Sequence, residues 1–393
     1  MTDATQPRTA RGATLTAAMM AAALFALLVF APIASAAPDP VASGSTTVTL
    51  KQGFVKSLKN QGVTIQKIAP AKLKGSKATF TVTGGSLDPL TGLGTVNLGG
   101  GLKFKAGKKS APVKGLVVDT TAKSLTANVA GKKMKFATIA GFSYVRNGFG
   151  VNLAMKKLKL TGSAASQLNK KLGYKSKPKP FAGGRLMGSG SSETQPSTVV
   201  VLPGGNVGFA VSPITLGKLE KVGVKITLIP PTAEPSKGLF SFPIGGGTIS
   251  PAGTAGVVQS AGGLVLTQKI QTGATTFLDT TITLGGFYVD LSAKTTSVEV
   301  SAVSNASPEL NLGSLGRSSI ADLAVSGVSS DPAARTVTVP SAAATLQPIS
   351  AKVLNAFVEV YEGFEKAGGP KVGPEKINSG DPLGTFSFVA QTQ

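Results

Sequence analysis

The chain contains two copies of one sequence pattern, and this internal repeat constrains its fold more than any other feature. Residues 58–104 align with residues 219–266 after a single one-residue shift. The shared residues are apolar side chains and turn residues, whereas the charges differ. The matching pairs are Gly62/Gly223, Val63/Val224, Ile65/Ile226, Ile68/Ile229, Pro70/Pro231, Phe80/Phe242, Gly85/Gly247, Pro89/Pro251, Gly94/Gly256 and Leu102/Leu264. Because copies of one fold share core and turn residues, the repeat predicts a duplicated domain.

Short runs of alternating apolar and polar residues recur through both copies. Examples are Val63–Ile68, Ser124–Val129 and Val151–Met155, which are rich in β-branched or apolar side chains. Such runs are typical of half-buried strands. We expect the clusters Gly84-Gly85 and Gly99-Gly100-Gly101 to be turns between strands. The pattern therefore predicts an all-β fold in each copy.

One segment near the C-terminal end of each copy has helical periodicity instead. In Gly162–Leu172, the apolar side chains fall on one face, Thr161 precedes the segment as an N-cap residue, and Gly173 follows it. In the second copy a longer apolar stripe begins after Pro348, a residue favoured at the first position of a helix. We expect one helix in each copy.

The repeat and the local composition predict four segments. Residues 1–36 form a signal peptide, residues 45–188 a strongly basic β domain, residues 189–197 a polar linker, and residues 198–393 a near-neutral β domain. The linker is predicted because SGSSETQPS has no apolar face to bury.

The signal peptide is predicted from the charge and hydropathy of the N-terminus. Arg8 and Arg11 precede an uncharged apolar run over residues 17–33, and Ala34-Ser35-Ala36 is a small-residue cleavage pattern. Cleavage near Ala36/Ala37 would give a protein that is secreted or associated with the cell envelope. An uncleaved membrane anchor is the alternative. No second apolar run of spanning length follows, so no transmembrane span is expected in the mature chain.

The positive charge lies almost entirely in the first copy. Residues 38–190 contain 24 Lys and 2 Arg against 3 acidic residues, whereas residues 191–393 contain 10 Lys and 2 Arg against 14 acidic residues. Since both copies share one fold pattern, the fold does not require the basic character. The positive charge therefore serves either the function of the first copy or its solubility.

Three predicted strands of the first copy alternate lysine with an apolar residue. In a strand, alternate residues share a face, so the lysines point away from the core. The second copy has Val265, Thr267 and Thr345 at three of these positions. We predict a docking surface for an anionic envelope polymer or lipid headgroups; a merely solvated sheet face is the alternative. Nucleic acid is not expected, because the protein is exported and lacks interleaved aromatic or Arg residues. The predicted residues are Lys103, Lys105, Lys133, Lys135, Lys157 and Lys159.

The amino-acid composition argues against an enzyme. The chain contains neither histidine nor cysteine, so a serine nucleophile has no imidazole base, and Cys/His metal sites and disulfides are excluded. Asp88 precedes Pro89 and is better explained as a turn residue than as a catalytic acid. We expect no catalytic residues and no metal site.

Several motifs give the chain a family resemblance. They are the Gly-Gly-x-[Leu/Ile]-[Asp/Ser]-Pro turn at 84–89 and 246–251, the glycine-rich strands at 94–104 and 256–266, and the LKLTGSAASQLN run at 158–169. With these motifs both copies resemble HtaA domains, haem-uptake modules of the Gram-positive cell surface. The resemblance implies a β-rich binding module and, as the family's default, haem as the ligand.

The resemblance also implies which residues should ligate haem, and this chain lacks them. Haem-binding members use a Tyr three residues after a Phe near the first strand, supported by a His. Ser57 and Lys218 stand at the Tyr positions, and Lys108 stands at the His position. No cofactor is therefore expected, and haem is implied by the resemblance only. The tyrosines that remain are Tyr144, Tyr174, Tyr288 and Tyr361.

These features together predict an exported, non-catalytic binding or cell-surface module. Its first domain would dock on anionic envelope polymers or lipids. The alternative is a haem-binding or haem-uptake protein with non-standard ligands.

Overall fold

The alternating apolar residues bury one face of each strand, and the strands join into two antiparallel sheets. The computed structural model describes residues 38–176, 178–306 and 311–393. The predicted signal peptide, residues 1–36, lies outside the described residues. The all-β prediction is confirmed. Among the described residues, no helix combines the length and apolarity that crossing a membrane requires.

The first domain consists of one sheet and two helices. Its helices are α1 (Gln52–Asn60) and α2 (Gly162–Leu172). Its strands are β1 (Asp39–Leu50), β2 (Val63–Ile68), β3 (Lys72–Lys74), β4 (Lys77–Leu87), β5 (Gly94–Ala106), β6 (Lys109–Asp119), β7 (Ser124–Val129), β8 (Lys132–Asn147), β9 (Gly150–Leu160) and β10 (Leu186–Pro196). The neighbours run β5-β6-β7-β8-β9-β10-β1-β4, and β4 pairs back with β5, so the sheet closes on itself.

The second domain repeats this arrangement. Its helices are α3 (Pro213–Lys221) and α4 (Pro348–Lys366). Its strands are β11 (Val199–Val201), β12 (Asn206–Val211), β13 (Lys225–Ile229), β14 (Ala233–Ser236), β15 (Leu239–Ile249), β16 (Gly256–Ser260), β17 (Gly263–Gln271), β18 (Phe277–Asp290), β19 (Thr295–Ser304), β20 (Gly313–Ser326), β21 (Ser329–Asp331), β22 (Thr336–Leu346) and β23 (Pro382–Gln391). Here β16 pairs with both β15 and β18 and closes the sheet.

Each domain contains a second helix that the sequence did not predict. Helix α1 buries only Phe54 and Leu58, which are four residues apart and therefore share one face. Helix α3 is equally short and begins at Pro213. A nine-residue helix with two buried side chains has too little periodicity to recognise, because its stability comes from packing on the sheet.

The glycine clusters do not form the turns that were predicted. Gly84-Gly85 lies inside β4, and Gly99-Gly100-Gly101 lies inside β5, where the register shifts by a β-bulge. Gly85 and Gly94 have φ values of 132° and 137°. A Cβ on either residue would overlap a carbonyl oxygen of the neighbouring strand. Glycine is required here for close strand approach and bending rather than for reversing the chain.

The predicted linker, residues 189–197, is wrong, because most of it belongs to β10. This strand pairs with both β1 and β9. Its inward hydroxyl groups are buried but hydrogen-bonded: Ser192 Oγ lies 2.7 Å from Thr46 Oγ1, and Thr194 Oγ1 donates to the Val151 carbonyl at 2.8 Å. Satisfied hydroxyl groups can be buried at little cost, so a polar sequence occupies a central strand.

The two domains are joined by an apolar contact as well as by the chain. Phe149, in the turn between β8 and β9, is 4% exposed and belongs to the hydrophobic core of the second domain. The preceding Gly148 approaches Pro332, and Arg146 donates hydrogen bonds to the Gly148 and Gln393 carbonyls. The hairpin tip of one domain therefore completes the packing of the other.

We expect Phe149→Ala to lower the free energy of unfolding by about 3 kcal/mol, because it empties a buried site that joins two cores. Urea unfolding followed by circular dichroism measures the change. Val145→Ala, on β8 of the same hairpin but 67% exposed, is the control and should shift stability by less than about 0.5 kcal/mol. Equal unfolding midpoints for the Phe149 variant and the unmodified protein would contradict the role of this contact.

Candidate functional site

The six lysines predicted as a docking surface all lie on the outside of the first closed sheet. They alternate with side chains that fill its interior, such as Phe104 on β5, Phe136 on β8 and Leu158 on β9. Lys103 is half-buried, and the other five lysines are exposed. The period-two alternation therefore places these side chains outward, as expected.

The closed sheet separates the six lysines into two groups. Lys133 and Lys135 on β8 and Lys157 and Lys159 on β9 lie on neighbouring strands. Strand β5, which carries Lys103 and Lys105, is four strands away from β9 around the ring. The single flat face that three strands of an open sheet would give is therefore absent. The lysines follow the curvature of the sheet instead.

Lys114, which the sequence analysis did not select, connects the two groups. On β6 it pairs with Gly101 of β5 on one side and with Asn128 of β7 on the other, and Asn128 pairs with Lys133 of β8. The residues next to Lys114 do not continue the alternation of lysine and apolar residues, so this lysine can be assigned to the surface only from the pairing of the strands. We define the lysine band as Lys103, Lys105, Lys114, Lys133, Lys135, Lys157 and Lys159.

The positive charge of the band is not neutralised within the described part of the chain. All three ion pairs found there belong to the second domain: Lys218–Asp381, Lys221–Glu375 and Lys237–Glu220. In the first domain, Asp88 and Asp119 each accept a hydrogen bond from a nearby backbone N–H at 2.7 Å and shape a turn. The band therefore presents its charge to solvent.

The second domain does not repeat the band. Equivalent positions follow from matching hydrogen bonds: Thr161 N donates to the Phe136 carbonyl, and Gln347 N donates to the Ile320 carbonyl. Phe136 and Ile320 are also the extra residues of corresponding bulges. Counted from these pairs and from the sequence repeat, the band positions hold Val265, Thr267, Gly285, Arg317, Ser319, Ala343 and Thr345. One cation thus replaces seven.

A different charged cluster lies where the two domains meet. Asp39, at the start of β1, is buried, and its Oδ2 has no hydrogen-bond partner among the described residues. Burial raises the pKa of this carboxyl group from 3.8 to about 6, against the opposing effect of Arg146, and Asp88 adds to the rise. The neutral acid is therefore the favoured form of Asp39 in the folded protein at mildly acidic pH.

The comparison with protein families identifies the second domain. Residues 209–368 match the family model HtaA, described as Htaa. This is an HtaA domain. The closed ring and the closing helix of the first domain show that it is a second copy of the same fold. HtaA domains are cell-surface modules associated with haem uptake. No curated protein matches the chain.

Solved structures of HtaA resemble parts of the chain. The C-terminal domain of HtaA from Corynebacterium glutamicum is 16% identical, with a TM-score of 0.35, and the match covers 50% of this chain and 99% of that one. The N-terminal domain of HtaA from the same organism is 13% identical, with a TM-score of 0.33, over 49% of this chain and 98% of that one.

The residues that HtaA domains would use for haem are absent from both copies. Ser57 lies on α1 and Lys218 lies at the equivalent place on α3. Lys218 is engaged elsewhere, because its ammonium group lies 2.9 Å from Asp381 and donates to the Lys376 carbonyl. The hydrogen bond from the backbone N–H of Asn378, followed by the one from the Lys218 ammonium group, holds the pKa of Asp381 below its ordinary value. These side chains do not fit the HtaA haem ligand set.

The four tyrosines also make contacts that have no relation to a shared haem pocket. The hydroxyl groups of Tyr144 and Tyr174 donate to the Leu90 and Gln61 carbonyls. The Arg317 guanidinium lies 3.4 Å from the ring centroid of Tyr288, and Tyr361 packs edge-on against Phe364. No two of them occupy equivalent positions in the two domains. Among the described residues, no cluster of acidic side chains is suited to hold a metal ion either.

We expect the ionised form of Asp39 to destabilise the protein. Between pH 3.8 and about 6 the folded state keeps a proton that the unfolded state has lost, so the free energy of unfolding falls as pH rises through this window. Asp39→Asn removes the titrating group. It should raise the urea midpoint at about pH 7.5 and leave it nearly unchanged at about pH 3.5.

The control for this prediction is Asp331→Asn, at the exposed end of β21 in the second domain. Its effect on the urea midpoint should not follow the same window. An Asp39→Asn variant whose gain in stability is equal at both pH values would show that burial of this charge is unimportant.

Proposed function

We propose that the protein is an exported, non-catalytic binding module of the cell surface, and that its first domain docks on an anionic polymer of the cell envelope. The observation that carries this proposal is the lysine band, whose seven cations have no acidic partner in the part of the chain that the structure describes, whereas the same positions of the second domain hold one arginine. Membership of the HtaA family supports a surface-exposed binding role rather than catalysis.

The curvature of the band favours a chain-like polyanion over a planar membrane. Neighbouring strands lie about 4.8 Å apart, so the path from β5 to β9 spans roughly 19 Å around the outside of a closed sheet. A flexible polymer can follow that curve and contact all seven lysines. A flat layer of lipid headgroups touches only one side of it. The polymer therefore gains more ion contacts than a bilayer does.

The strength of such docking comes from the number of contacts. An exposed charge pair contributes less than about 1 kcal/mol, so a single lysine is nearly dispensable. Several acting together give retention that weakens steeply with salt, because the screening length falls below about 10 Å above 0.1 M. Between residues 38 and 196, as far as the structure describes them, no ion pair competes for these lysines.

We expect replacement of six band lysines by glutamine to lower the salt concentration at which the protein elutes from a phosphorylated resin. The changes are made at Lys103, Lys105, Lys133, Lys135, Lys157 and Lys159 in the two-domain chain. The matched control carries the same loss of charge elsewhere in the first domain, at the exposed residues Lys51, Lys56, Lys59, Lys72, Lys74 and Lys77. The control should elute closer to the unmodified protein.

A second pair of variants tests whether the band is continuous. Lys114→Glu places a negative charge between the two groups of lysines, whereas Lys56→Glu makes the same change on α1. Earlier elution of the Lys114 variant is expected. If the band variant and the control variant elute together, total charge alone explains retention. If the protein sediments with anionic vesicles more strongly than it binds soluble polyphosphate, the ligand of the first domain is a membrane and not a polymer.

Haem is the alternative ligand, and the family supports it, but the side chains do not. We expect titration of the purified protein with haemin to give no saturable Soret shift, because Ser57, Lys108 and Lys218 occupy the ligand positions. A stable complex with about one haem per domain, lost when one tyrosine is changed to Phe, would establish the haem-binding function instead.

A further inference from the structure

The interior of the first domain is filled by three phenylalanines that the second domain lacks. Phe54, Phe104 and Phe136 are all buried in the first core. Matching backbone hydrogen bonds, Lys51 N to the Met187 carbonyl and Ser212 N to the Leu383 carbonyl, align the starts of α1 and α3. The three positions then hold Thr215, Leu266 and Ile320 in the second domain.

The smaller side chains leave a cavity inside the second closed sheet. Its volume is about 70 Å³, compared with about 20 Å³ at the corresponding place in the first domain. The cavity lies between the sheet and helices α3 and α4, and Thr215, Leu266 and Ile320 all line it. The smaller side chains at these three positions contribute to the difference in volume.

The wall of the cavity is apolar. Its other lining residues include Phe209, Leu264, Ile282 and Val300 from four different strands. Two of its three hydroxyl groups are already engaged: Thr215 Oγ1 donates to the Pro382 carbonyl at 2.6 Å, and Ser350 Oγ donates to the Gln347 carbonyl at 2.9 Å. Ser318 supplies the third hydroxyl group. A single free hydroxyl group is fewer than the two to four polar partners that an ordered water needs, and the void is a poor solvent for any charged group.

The cavity opens to solvent between the first turn of α4 and the beginning of β20. Ile349 and Leu315 both line it, yet they are 48% and 37% exposed. Large apolar side chains at the mouth extend the apolar surface outward. In the first domain the residue equivalent to Ile349 is Ser163, two residues beyond the aligned Thr161 and Gln347. The apolar mouth is therefore specific to the second domain.

We propose that the second domain binds the end of an alkyl chain, such as the acyl tail of a single-chain lipid, in this cavity. The terminal methyl and methylene groups occupy the void between α3, α4 and the sheet, and the next methylenes lie across Ile349 and Leu315. The inference concerns the second domain and does not rest on the lysine band.

The size of the cavity selects this ligand class. A cavity of 150 Å³ accepts benzene, and the present one has about half that volume. A linear chain end is narrower than a ring and can enter through the mouth one methylene at a time. A haem macrocycle is far too large for the enclosed part. Binding should strengthen about fourfold for each further methylene that leaves water.

The test uses neutral probes, because their binding cannot involve the lysines. Hexanol, octanol and decanol are titrated into the two-domain protein with methyl groups of Ile and Leu labelled for NMR. We expect saturable shifts of the Leu266 and Ile320 methyl signals, affinity that rises along the series, and no dependence on salt. The absence of a saturable shift with any of the three alcohols would overturn the proposal.

Two variants locate the site. Leu266→Phe combined with Ile320→Phe restores the first domain's residues and fills the cavity, so octanol binding should weaken about tenfold or more while circular dichroism stays unchanged. Ile349→Ser alters only the exposed mouth and should weaken binding several-fold, whereas Val389→Ser, which is 51% exposed on β23, should not. Unchanged binding in the Ile349 variant, or in the folded double variant, would place the alcohol elsewhere.

Discussion

The closing pair of strands in each sheet is the contact on which the rest of the structure depends. In the first domain β4 pairs with β5 from Leu87↔Gly94 to Val82↔Leu98, and without it eight strands would form an open sheet with unpaired edges. Gly85 and Gly94 permit the close approach, and Gly247 and Gly256 do the same between β15 and β16. This is the physical reason that glycine is retained at both pairs of positions when the surface charges are not.

Closure separates the molecule into an outside and an inside that can change independently. The outer positions of one ring carry the lysine band, while the equivalent positions of the other carry mostly small or neutral side chains. Inside the rings, three positions also differ. Phenylalanines occupy them in the first domain, and smaller residues line a cavity there in the second domain. One fold thus supports a charged exterior in one copy and an accessible apolar interior in the other.

The junction connects these two copies more closely than a flexible linker would. Strand β10 ends at Pro196 and β11 begins at Val199, so only two residues separate the sheets. Phe149 is buried in the neighbouring core, and Asp39 and Arg146 lie near the same end of the first ring. Oδ2 of the buried Asp39 carboxyl group has no hydrogen-bond partner in the described structure. Apolar packing therefore stabilises this region, whereas ionisation of Asp39 destabilises it as pH rises.

The duplication, the all-β class, the outward direction of six lysines and the lack of the histidine that haem or serine chemistry would need can all be predicted from the amino-acid sequence. These features follow from period-two patterning and composition, which are local. The folded chain was needed to show that Gly84-Gly85 lies within a strand, that most of SGSSETQPS pairs as β10, and that Lys114 lies between two groups of lysines. It also revealed the cavity, because the effect of Thr215, Leu266 and Ile320 depends on their meeting across a closed sheet. All of these features depend on which distant strands pair with each other, and strand pairing cannot be predicted from any short stretch of the sequence.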